Sequence, residues 1–113
     1  MIVNVLGRAY TVDLRDYMDS DFYGECDFTK AAIRINKNQK DLESTIVHEV
    51  LHAIIFESGL KYIIDSTDGL EEALVRAIEH GLKSANMIPE VDFNELDTNN
   101  EMGTDNQKYE TGG

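Results

Sequence analysis

His48, Glu49 and His52 stand in the order His-Glu-Val-Leu-His, and this spacing carries the most specific chemistry in the 113-residue sequence. Residues four apart on a helix lie one turn above each other, so both imidazoles can reach one metal ion. Glu49 projects to the side of the pair, where a carboxylate can take the proton of a zinc-activated water. Zinc lowers the pKa of such a water to roughly 7. The pattern points to metal-assisted attack on a carbonyl, with a peptide bond as the expected target. The plainer alternative is a pair of core histidines bonded to backbone carbonyls, with Glu49 on an exposed edge. Against it, the surrounding residues Ile46, Val47, Val50, Leu51, Ile54, Ile55 and Phe56 are apolar, and an unpaired polar group among them costs about 1–3 kcal/mol.

A catalytic zinc needs a third protein ligand and an open position. The candidates are His80, Glu57, Asp65, Asp68, Glu71 and Glu72. No histidine follows His52 within the next dozen residues, so a three-histidine metzincin site is excluded. A helix over 70–84 supplies the ligand instead. With Leu74 at zero and about 100° per residue, Leu70, Ala77, Ile78 and Leu82 define an apolar face. Glu71 falls inside that face, while Glu72 falls with Arg76 and Glu79 on the polar side. We therefore expect Glu71 as third ligand, with Glu72 in reserve. Glu71 as a first-turn acid favoured by the helix dipole is the competing reading. His80 lies on the polar side and reads as a solvated residue or a C-terminal dipole partner.

The elements that must position these residues are legible in outline. Ile2–Leu6 and Ala9–Asp13 are β-rich runs separated by Gly7-Arg8, the spacing of a hairpin with glycine first. Leu14–Tyr23 is mixed, and 32–36 (Ala-Ile-Arg-Ile-Asn) alternates as a half-buried strand does. The histidine helix starts at Asp41 or Ser44 and ends at Gly59. Its apolar residues run all round, which predicts a central, buried helix. The expected fold is a small α+β domain: a short antiparallel or mixed sheet against the histidine helix and one further helix.

Composition bounds the rest. The chain has 22 acidic and 10 basic residues, a net charge of −12, and 42% apolar residues. That suffices for one modest core and gives no basic patch for nucleic acid or anionic membrane. One cysteine, Cys26, excludes an internal disulfide framework, and a free inert thiol is the expected state. The start lacks the basic and apolar regions of a signal peptide, and no stretch approaches a membrane span. A cytoplasmic location follows as an expectation. Residues 89–113 hold seven acids and one base, half of the net charge. We expect 1–88 to form the domain and 89–113 an acidic tail, flexible from about residue 98, with Val91, Phe93 and Leu96 able to dock back.

The combination of a strand ending Ile-Arg-Ile-Asn, a short polar link, Thr45-x-x-His48-Glu49-x-x-His52 and a following helix that opens Glu71-Glu72 resembles the small zincin-like metallopeptidases of the ImmA/IrrE type and their short phage-encoded relatives. The similar part runs from about Gly24 to Leu82. The resemblance implies a zincin-like fold and zinc on His48, His52 and Glu71, with Glu49 as general base. It further implies a protein substrate laid along the 32–36 strand as a sheet edge. The helix after the motif departs from the family's E-x-x-A-N-x-F-A, reading Glu71-Glu72-Ala73-Leu74-Val75-Arg76-Ala77-Ile78, and the larger relatives' C-terminal domains are absent.

Weaker signals complete the set. Tyr23 and Tyr62 can each donate to a developing oxyanion or simply cap a core. Asp65 or Asp68 can orient a ligand histidine or cap the loop, and Thr45 can orient the helix start. Peptide hydrolysis dependent on Zn2+ is the leading expectation. The alternative is a binding module on the same fold, an acidic host-interaction factor able to mimic nucleic acid towards basic partners.

Overall fold

The structure, a computed structural model, describes residues 1–17 and 22–91. Alternation sets the sheet. In β2 (Arg8–Arg15) Tyr10, Val12 and Leu14 are buried while their neighbours are not, the period of a strand with one covered face. β1 (Ile2–Val5) pairs with it antiparallel, Val5 opposite Arg8. The turn is therefore Leu6-Gly7, one residue earlier than the sequence suggests. Both residues have positive φ, 51° and 93°, as a type I′ hairpin requires, so glycine takes the second position. The Asn4 side chain accepts the Gly7 N–H at 2.8 Å and fixes the bend.

The sequence reading assigns no strand at β3 (Gly24–Asp27), because Gly-Glu-Cys-Asp shows no apolar alternation. It forms through its partner. β4 (Ala32–Asn36) lies between β2, which it joins in parallel, and β3, which it joins antiparallel, giving the order β1-β2-β4-β3. The 32–36 strand is thus interior, not an edge. Ile33 and Ile35 are fully buried, and both neighbours use its backbone. The edge strand on that side is β3.

α1 (Leu42–Ser58) spans the predicted range and ends at Gly59, whose φ of 83° is the left-handed cap glycine supplies cheaply. Its inner side packs Ile46 and Ala53 on the sheet residues Tyr10, Val12, Leu14, Ile33 and Ile35. The helix is not buried all round, since Ile54 and Phe56 are more than a third exposed. Gly24 marks where β3 passes close to the helix: a Cβ there would stand 3.2 Å from Thr45 Cγ2 and 3.1 Å from Ile35 Cδ1.

A single short turn, α2 (Lys61–Ile64), leads to α3 (Leu70–Ser84), which rests on α1 and α2. The extent of α3 matches the sequence reading, but its facing does not. Val75 is its fully buried residue, joining Ile55 and Ile64, with Glu71, Glu72, Glu79 and Leu82 partly covered beside it. Leu70, Leu74 and Ile78, expected inside, are each at least 37% exposed. The inner face is rotated by about 100°, one residue, from the apolar face. The cause is what α3 meets: a surface carrying two imidazoles and one small apolar socket.

Val91 packs against the main core. Phe93, Leu96 and the proposed flexible stretch lie outside the described residues. No helix among the described residues is long and apolar enough to cross a membrane.

Candidate metal centre

The i, i+4 spacing places both imidazoles on the side of α1 that faces α3, with ring centroids 5.0 Å apart. Opposite them stands Glu72. Its Oε2 is 3.2 Å from His48 Nε2, and its Oε1 is 3.1 Å from His52 Nε2. One ligand atom from each of the three residues lies within 4.8 Å of the other two. Atoms about 2.1 Å from a tetrahedral zinc stand roughly 3.4 Å apart. The cluster therefore has the donor set of a two-histidine, one-carboxylate site, gathered within 4.8 Å.

Proton positions strengthen the fit. His48 Nδ1 is 2.8 Å from Glu79 Oε1, and His52 Nδ1 is 2.6 Å from Glu71 Oε2. Burial pushes both carboxyl pKa values up, but hydrogen bonds outweigh it. Ser44 and His48 hold Glu79 below the ordinary carboxylate value, and Lys61 and His52 do the same for Glu71. Ionised carboxylates only accept, so each Nδ1 carries a proton and donates it. A neutral imidazole then turns its Nε2 lone pair toward Glu72. Burial raises Glu72 as well, yet the hydrogen bond from Arg76 Nε (2.9 Å) and the nearby histidines leave it lowered and anionic. With both rings neutral, three acceptors converge on one point. A cation satisfies all three; the remaining way is a second proton on each ring.

Glu49 is the buried carboxyl of the group, 8% exposed. Desolvation raises its pKa above the ordinary value. His52 and His48 offset this in part, and the negative Glu72 and Glu25 add to it. It opens on a cleft of about 320 Å³ lined by Tyr23, Thr45, His48, Glu72, Arg76, Glu79 and His80. A carboxylate with a raised pKa next to a cation site suits proton transfer near neutral pH.

Of the residues singled out from sequence, the structure brings together His48, Glu49, His52 and Glu72. It does not bring Glu71 to the imidazole Nε2 atoms. Glu71 accepts from His52 Nδ1 and from Lys61 Nζ at 2.9 Å, on the far side of the ring. The reason is the rotation of α3: the apolar-face argument selects Glu71, whereas the helix turns Glu72 to the pair. Glu57 is committed elsewhere, accepting from the buried Tyr10 hydroxyl at 2.6 Å and from Arg8 at 2.9 Å. Asp65 and Asp68 are exposed, and neither is bonded to a ligand histidine. Tyr23 and His80 line the cleft, while Tyr62 is 90% exposed. Thr45 Oγ1 bonds Asp41 O and Gln39 Oε1 and so orients the start of α1. Cys26 is a free thiol that burial, with Glu49 and Asp27 nearby, pushes up to about 12, so it is inert.

Sequence reasoning passed over Glu79, Ser44 and Lys61 as parts of the site. The available signal was spacing. Glu72 and Glu79 are seven apart on α3, two turns on one face, opposite the one-turn pair on α1.

Comparison with protein-family models, with curated proteins and with solved structures gives no match for this chain.

Proposed function

We propose that the chain is a zinc-dependent peptidase of the HExxH type, with His48, His52 and Glu72 as metal ligands and Glu49 as general base. The observation that carries this is the convergence of two imidazole Nε2 atoms on one carboxylate, at 3.1 and 3.2 Å, beside a buried glutamate with a raised pKa. Two imidazoles and a carboxylate favour zinc among the common divalent ions. A zinc held by these three residues would supply Lewis acidity towards a water and a substrate carbonyl. Glu49 takes the proton of the attacking water and returns it to the amine that leaves. Glu72, held by Arg76, fixes the third corner.

The cleft supports an extended peptide as substrate. Tyr23, which lines it, immediately precedes the edge strand β3, and an edge strand offers unpaired backbone groups to which another strand can add. The resemblance to zincin-like proteins of the ImmA/IrrE type rests on the motif and on the strand–helix order around it. Zinc content of the purified protein tests the centre. About one zinc per wild-type chain is expected, against a loss in His48→Ala, His52→Ala and Glu72→Ala but not in Asp68→Ala. A well-folded wild type that takes up no zinc would overturn the proposal.

A further inference from the structure

Each imidazole of the centre is backed by a different carboxylate of α3, and each carboxylate is held in turn by a third group. On one side Ser44 Oγ donates to Glu79 Oε2, and Glu79 Oε1 accepts from His48 Nδ1 at 2.8 Å. On the other, Lys61 Nζ donates to Glu71 Oε1 at 2.9 Å, and Glu71 Oε2 accepts from His52 Nδ1 at 2.6 Å. The carboxylate side chains are only 14% and 16% exposed, so neither is a solvated surface acid that drifted near a histidine. Burying two anions with no task would be costly. The relays come from different turns of α3, eight residues apart, and bracket Glu72 in the sequence.

We infer that Glu79 and Glu71 are positioning residues that fix both histidines with Nδ1 protonated and Nε2 aimed at the ion. The inference rests on the metal centre proposed above. An acceptor at Nδ1 selects the ligating tautomer, locks the ring against rotation and makes the opposite nitrogen more basic. The two relays are unequal. Glu71 shares its charge with the Lys61 ammonium, whereas the partner behind Glu79 is the neutral, buried Ser44 hydroxyl. Glu79 therefore polarises its imidazole more strongly, and its removal costs more affinity.

The experiment is a zinc competition titration against a chromophoric chelator on the full chain, with the cobalt-substituted absorption spectrum as a second readout. Glu79→Ala and Glu71→Ala are expected to weaken zinc binding by about 10–100-fold, Glu79→Ala the more. Glu79→Gln, whose amide oxygen still accepts the Nδ1 proton, should recover part of the loss and the wild-type cobalt spectrum. It also keeps the test open where the alanine variant folds poorly. Zinc affinity within twofold of wild type in both alanine variants would refute the inference. So would a drop in the metal-free thermal midpoint with affinity and cobalt spectrum unchanged, which marks a mere helix–helix staple. A wild type that binds zinc no more tightly than the His48→Ala/His52→Ala double variant overturns the metal centre itself, and that comparison involves neither glutamate variant.

Discussion

Glu49 sits in conflict between stability and chemistry. The α1–sheet contact buries it, and burial raises its pKa because water no longer stabilises the anion. A folded pKa above the unfolded one favours folding at pH values below the ordinary 4.5. That benefit is lost as pH rises through the folded value, and above that value the ionised Glu49 subtracts from the stability of the metal-free fold. Glu49→Gln removes that charge and keeps the shape. The metal-free variant should melt no lower than wild type, and higher at pH 7 than at pH 4 relative to it, in paired thermal scans. Zinc content should be unchanged, while peptide hydrolysis falls on the order of 100-fold or more. Hydrolysis at wild-type rate in this variant would remove Glu49 from the role of base.

At the scale of the element, α3 shows how periodicity can fix a helix and miss its facing. Leu70, Leu74 and Ile78 form the row that a helical wheel sends inward, yet they lie partly exposed, and Val75 fills the socket made by Ile55 and Ile64. The difference can be weighed by substitution. Val75→Ala removes two buried methyl groups from a fully covered site and should cost about 1–3 kcal/mol. Leu74→Gln, on the outer row, should cost under about 1 kcal/mol. Urea unfolding of the two variants decides between the facings, and the reverse order would return α3 to the orientation expected from the wheel. The same rotation makes Glu72 the ligand candidate and Glu71 a backing group, so an error of one residue in facing exchanged two adjacent glutamates. β3 teaches a related lesson. Its four residues carry no strand pattern, and what makes them a strand is β4 on one side and the close approach to α1 at Gly24.

For the whole molecule, the acids are not interchangeable. Glu57, Glu71, Glu72 and Glu79 all have pKa values held below the ordinary 4.5. Burial acts against this in each case, and hydrogen bonds from Tyr10, Lys61, Arg76 and Ser44 outweigh it. The folded chain thus binds fewer protons than the unfolded one near these values. The stability they provide is present above about pH 4.5 and lost as pH falls through the lowered folded values. Thermal midpoints of the metal-free protein should stay level down to about pH 5 and then drop steeply towards pH 3. Glu49, whose pKa is raised, acts in the opposite direction. A midpoint that rises on acidification below pH 4 would contradict the four assignments.

The sequence by itself determined the local features: the strand character of β1 and most of β2, the alternation of β4, the limits of α1 and α3 with Gly59 as a cap, and the His48–Glu49–His52 spacing. Each depends on neighbours within one or two turns, so spacing and residue type suffice. Only the tertiary structure decided which side of α3 meets α1, that the 32–36 strand is interior and β3 the edge, and that Glu72 rather than Glu71 joins the imidazole Nε2 atoms. Those outcomes depend on how separate elements dock. Docking is settled by the few sockets and polar partners the other surface offers, and those groups stand 19 to 35 residues apart in the chain.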